Sequence, residues 1–183
     1  MNARRLACLA ALAAVAAAAA AAAASSPYAG QEQRDIKALS ADEVEAYLSG
    51  KGMGLAKAAE LNGFAGPAHV LELAAPLALT ADQLARTQSL FASMASQAAS
   101  LGRALVEEER QLDRLFASRT VTPAVLNETL GRIGSLQARI RAAHLEAHLA
   151  QVAILTPEQN ARYAELRGYR SGSPAGHGAP HKH

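Results

Sequence analysis

Leu79-Thr-Ala-Asp-Gln83 and Leu155-Thr-Pro-Glu-Gln159 are two copies of one phrase, each placed where a run of helix-forming residues begins. Read physically, each is a helix N-terminus. Thr80 and Thr156 are able to accept a hydrogen bond from the backbone N–H three residues on, while Gln83 and Gln159 reach back to the N–H of the cap itself. Leu79 and Leu84 flank the first cap as a hydrophobic staple, and Pro157 occupies the first helical position, where a missing N–H costs nothing. Ser40-Ala-Asp-Glu43 repeats the logic with Leu39 and Val44, and Thr122-Pro123 opens a further helix without the reciprocal partner. Capping boxes are common. Two with the same Leu, Thr and Gln, one before a long amphipathic stretch and one after its return partner, are more specific.

From Thr80 to about Ser118 there is no Pro and one Gly, and Leu84, Phe91, Ala98, Leu105 and Leu112 recur at heptad spacing. Thr87, Met94, Leu101, Glu108 and Leu115 form a second row, so the pattern is a narrow coiled-coil seam. Such a helix of about 38 residues is about 57 Å long. After a break at Arg119 to Pro123, a return helix carries Leu126, Ile133, Ile140, Ala147 and Ile154, with Leu130, Leu136, Ala143 and Ala150 alongside. The short connection predicts an antiparallel hairpin, in which His144 lies near Ala98 and His148 near Met94. Pro157 to about Arg167 reads as a final short helix. Upstream, Ser40–Leu48, Gly54–Leu61 and Pro67–Leu77 read as short helices that fold across the open end of the hairpin. The fold class is all-α.

Residues 1–24 carry Arg4 and Arg5 ahead of an alanine-dominated apolar run, followed by Ser25-Ser26-Pro27-Tyr28-Ala29, and read as a secretory signal peptide cleaved near Ala24 or Ala29. An uncleaved anchor is the alternative, since the run is about long enough to span a bilayer. Cleavage removes Cys8, the only cysteine, so the exported chain has no disulfide and depends on helix packing or oligomerisation. Removing Arg4 and Arg5 from 18 Lys plus Arg leaves a count matching the 16 Asp plus Glu, and nucleic-acid binding loses its electrostatic motive. With no Trp and three Phe, any core is thin. The remaining divisions are an N-terminal extension over 25–66, the hairpin domain over 67–169, and a Gly-, Pro- and His-containing tail over 170–183 that reads as disordered.

With its signal peptide, long hairpin and two Leu-Thr-x-x-Gln phrases, the chain resembles the Spy/CpxP family of periplasmic chaperones and stress adaptors, which includes zinc-resistance and heavy-metal-sensing relatives. The resemblance covers about Pro67 to Tyr169 and rests on Leu79, Thr80, Gln83, Leu155, Thr156 and Gln159. It implies a cradle-shaped homodimer of hairpins in the periplasm of a Gram-negative cell, binding unfolded or misfolded client proteins without ATP. It also implies, for some members, metal binding near the helix ends, or signalling to a membrane sensor kinase.

A client-holding surface mixes apolar contacts with mobile positive charge. Arg103 and Arg110 share one helical stripe, Arg132 and Arg139 another, and Arg114 lies one turn beyond Arg110. An ordinary solvated face balanced by Glu107, Glu108, Glu109 and Asp113 is the alternative for each of them. Glu108 interrupts the seam as a register mark, a dimer contact or a frayed position. For metal, His144 and His148 stand at i and i+4 on one helix face, Met94 adds a thioether, and His69 is the remaining candidate from the folded region. No cofactor is required on the client-binding reading; zinc, copper, nickel or cobalt would occupy such a site on the other. Packing of both histidines beside Ile140 and Val152 is the plain alternative. No phosphate loop, mature cysteine or strand-borne catalytic constellation points to an enzyme. The mixed acids and bases of the long helices do not suit a membrane-surface helix.

Overall fold

The computed structural model describes residues 26–169; the signal peptide and the His-containing tail expected from the sequence lie outside the described residues. The chain divides into two compact units, with the boundary between Lys37 and Ala38. The described part of the first unit contains a single 3₁₀ turn, Gln31–Gln33. The second contains α1 (Ala41–Leu48), α2 (Lys57–Glu60), α3 (Pro67–Glu72), α4 (Ala81–Ala117), α5 (Pro123–Ile154) and α6 (Pro157–Leu166). Among the described residues there is no strand, and none of the helices is long and apolar enough to cross a membrane.

All three capping boxes form. Ser40, Thr80 and Thr156 each accept from the N–H three residues on, and Glu43, Gln83 and Gln159 accept from the cap N–H in return. Thr122 caps α5 from one side only, accepting from the Val125 N–H at 3.3 Å. The far end of α4 closes in a Schellman turn: Thr120 N–H donates to the Leu115 carbonyl and Arg119 N–H to that of Phe116, with Arg119 at φ 57°. That reversal lays α5 back along α4 as the expected antiparallel hairpin.

The short helices stop earlier than their sequence suggests. α3 ends at Glu72 because Pro76 has no N–H for the Glu72 carbonyl and disfavours helical geometry at Ala75. The Gly54–Leu61 stretch keeps only one helical turn, preceded by Met53 and Gly54 at positive φ. Nor do all of them gather at the open end. α1 instead lies along α4 at mid-hairpin, where the Tyr47 carbonyl packs on Gly102.

Two apolar clusters hold this unit. Leu101, Leu105, Ile133 and Ile140 fill the middle of the hairpin, with Tyr47, Leu55, Leu112 and Leu136 against them. Ala65, Val70, Leu77, Leu155 and Tyr163 close the open end. Each fully buried Leu or Ile contributes about 2 kcal/mol, so a few side chains carry the hairpin. The seam departs from its heptad reading at three positions: Phe91 and Leu130 are exposed, at 37% and 46%, and Ala150 is exposed as well. Thr129 and Gln151 are fully buried one position away from two of them. A straight helix drifts by about 20° per heptad relative to a strict seven-residue repeat, and over these lengths the drift turns neighbouring residues into the seam.

Candidate functional site

The repeated phrase does more than cap two helices. Gln83 Nε2 donates to Gln159 Oε1 at 2.7 Å and Gln159 Nε2 donates to Gln83 Oε1 at 3.0 Å, a closed pair of amides. The second N–H of Gln83 reaches the Ile154 carbonyl at 3.0 Å, and that of Gln159 reaches the Leu77 carbonyl at 3.1 Å. With the two cap N–H groups as further donors, every hydrogen-bonding site of both amides is used. One turn inward, Gln151 Nε2 donates to Thr87 Oγ1 at 3.1 Å inside the seam. This contact, with the Arg132 to Glu108 bridge, sets a register a few residues away from the one expected. The six motif residues thus fasten the open end of the hairpin.

Beside this clasp, α4 and α5 and the segment from Ser49 to His69 enclose a cavity of about 620 Å³. All four candidate metal ligands, His69, Met94, His144 and His148, line it. They are not equivalent. His69 is half-buried and pairs with Glu72 at 3.0 Å. His148 Nδ1 lies 2.8 Å from the Phe64 carbonyl and therefore carries the hydrogen of that bond. His144 is buried, its Nε2 without a hydrogen-bond partner; burial, and then the neighbouring His148, push it below the usual histidine range. Both effects favour the neutral ring. Among the described residues no three His, Cys, Asp or Glu side chains stand close enough together to hold a metal ion.

A carboxylate that the sequence did not single out organises one wall. Glu60 Oε1 accepts from Tyr163 Oη at 2.6 Å, from Tyr169 Oη at 3.0 Å and from Arg167 Nε at 3.3 Å. Its Oε2 lies 3.7 Å from His148 Nδ1. Burial, with the bond to Glu60, raises the Tyr163 hydroxyl well above the tyrosine range, so it remains a donor. This network joins α2, α5 and α6. Its members are far apart in sequence, and only the crowd of Tyr163, Arg167 and Tyr169 after the last motif signalled a polar end.

The five arginines do not make one surface. Arg110 and Arg114 converge on Glu107, each at 2.7 Å, and their bonds hold its carboxyl below the usual range, Arg114 contributing first. Arg132 crosses the hairpin to Glu108 at 3.0 Å and also meets Glu128 at 2.8 Å. Arg103 and Arg139 are exposed; Arg139 borders a shallow groove with Ser93, Gln97 and Ser100. Glu108, the oddity of the seam, is thereby an intrachain cross-link between the two long helices. In the half of the hairpin nearest the connection, Phe116, Val125 and Leu130 are exposed at 55%, 36% and 46%.

Compared with protein-family models, with characterised proteins and with solved structures, the chain has no significant match.

Proposed function

We propose that this is an exported protein that binds unfolding proteins in the periplasm without ATP and acts as a homodimer of hairpins. The observation that carries the reading is the distal half of the hairpin, where Phe116, Val125 and Leu130 are exposed on the same two helices that carry Arg110, Arg114 and Arg132. Large apolar side chains exposed on an otherwise charged and polar helical surface offer weak contacts to many sequences. The resemblance carried by the two Leu-Thr-x-x-Gln phrases supports the same reading. A second reading, metal binding, draws on His144 and His148 sharing a cavity with Met94.

Light scattering of a chemically unfolded client, diluted into the mature protein with and without chelator, tests both. Suppression of aggregation that persists in chelator is expected. Phe116→Ser combined with Leu130→Ser should raise the amount of protein needed for half-suppression about tenfold or more, each exposed apolar anchor being worth about 1 kcal/mol. Helicity should be unchanged, since neither side chain is buried. Absence of suppression by the parent, or full suppression by the double variant, overturns the proposal. Suppression that requires zinc and is lost in His144→Ala/His148→Ala moves the assignment to the metal reading.

A further inference from the structure

We infer that the cavity between the long helices and the Ser49–His69 segment is a binding site for a small amphiphilic carboxylate of the fatty-acid type. This inference concerns a different face from the client surface and does not depend on it.

Size and walls come first. About 620 Å³ is within the range of small-ligand cavities. Phe91, Met94 and Ala95 on α4, Ala147 on α5, and Met53 and Leu61 on the covering segment make its apolar surfaces. Phe91 and Leu61 are 37% and 62% exposed, and Met53 41%, three large apolar groups around one opening. A chain of methylenes laid against them would leave water at a gain of about 0.8 kcal/mol for each buried carbon.

The covering segment is built to leave this volume free. Gly50 and Gly66 allow close approach to the hairpin: a Cβ on Gly50 would stand 2.5 Å from the Ala95 carbonyl oxygen, and one on Gly66 would stand 2.7 Å from the His148 ring. Gly52 is different. A Cβ there would meet only the His144 ring, at 3.8 Å, and its φ is not in the left-handed region. Nothing in the packing requires glycine at this position, yet any side chain would add bulk to the cavity wall.

Charge selects the class of ligand. Among the described residues Glu60 is the only carboxylate in the lining, and it is held by Tyr163, Tyr169 and Arg167. Lys51 pairs with Glu45. Lys57, exposed on the first turn of α2, has no ion-pair partner among the described residues and is left to meet an anion. An apolar chamber whose acid is paired with Arg167 and whose rim carries the Lys57 ammonium suits a monocarboxylate with an alkyl tail, and opposes a cationic amphiphile.

The probe is decanoate, titrated calorimetrically into the full mature chain below its micellar concentration, with decyltrimethylammonium as the oppositely charged control. Saturable binding of one decanoate per chain, and weaker binding of the cation, is expected. Lys57→Glu changes an exposed side chain and should weaken decanoate binding about tenfold, the order expected for reversing one partly screened charge pair. Gly52→Leu should weaken it by at least as much while helicity is retained. No saturable decanoate binding, equal binding of the cation, or parental affinity in Lys57→Glu overturns the inference. So does occupation of the cavity by an unfolded polypeptide that decanoate fails to displace.

Discussion

Gln83 and Gln159 are each asked to do three things at once: close a capping box, accept from the opposite amide, and donate to a backbone carbonyl on another element. Asparagine is one carbon too short to span the same bonds, and glutamate supplies no donors. Gln83→Ala and Gln159→Ala should therefore each lower the unfolding free energy by about 1–3 kcal/mol, since each leaves the other amide, buried at Gln83 and half-buried at Gln159, without its partner. Because the two share their central bonds, the double variant should lose less than the sum of the singles. Urea denaturation of the four proteins checks this; strict additivity would mean that the glutamines cap their own helices and nothing more. The caps themselves were legible in the sequence, because a capping box is local. Their mutual bond was not, since 76 positions separate the two side chains and only the closed hairpin brings them together.

At the scale of elements, the three glycines inside the long helices have opposite meanings. Gly102 in α4 faces the Tyr47 carbonyl so closely that a Cβ would collide with main chain rather than with a side chain able to move. Gly131 and Gly134 in α5 have nothing within 4 Å of a Cβ position. Alanine is favoured over glycine in a helix interior by about 1 kcal/mol, so Gly131→Ala and Gly134→Ala should each stabilise the protein by about that amount. Gly102→Ala should destabilise it and detach α1 from α4. Thermal unfolding of the three variants shows the difference in sign; stabilisation by Gly102→Ala would mean that α1 is not seated as described. Heptad spacing foretold both long helices, and the break at Arg119 to Pro123 foretold their reversal. It did not foretell which neighbours turn inward, because a strict repeat ignores helical drift and so favours Leu130 over Thr129 and Ala150 over Gln151. His69, Met94, His144 and His148 were legible as candidates for one neighbourhood, and all four line the cavity, but the Glu60 network beside it joins side chains more than 100 positions apart, which no local pattern pairs.

Across the second unit, packing is unevenly distributed. α1, α2, α3 and α6 are drawn to the inner half of the hairpin and its open end, where both apolar clusters, the glutamine clasp and the Glu60 network lie. From Glu107 to Arg132, around the connection, the single buried residue is Thr129. Leu112, Leu115 and Leu126 are only partly covered there. Two helices touching along so thin a seam gain little beyond their own propensity, and helix ends of this kind open locally without global unfolding. The ion pairs of Glu107 and Glu108 hold the distal half in line, but they are open to solvent and screened, and add little. A surface that must adapt to varied clients, or meet a second hairpin, gains from such compliance. Amide hydrogen exchange at low protein concentration should accordingly be at least about tenfold faster at positions 107–132 than at 94–106 and 133–151, a difference of about 1.4 kcal/mol in local opening. If hairpins pair through the distal half, raising the concentration should slow exchange at 107–132 alone, as mass action stabilises the covered state. Uniform protection along the hairpin at every concentration would refute the division into a rigid inner half and a compliant distal one, and with it the physical basis for placing client binding there.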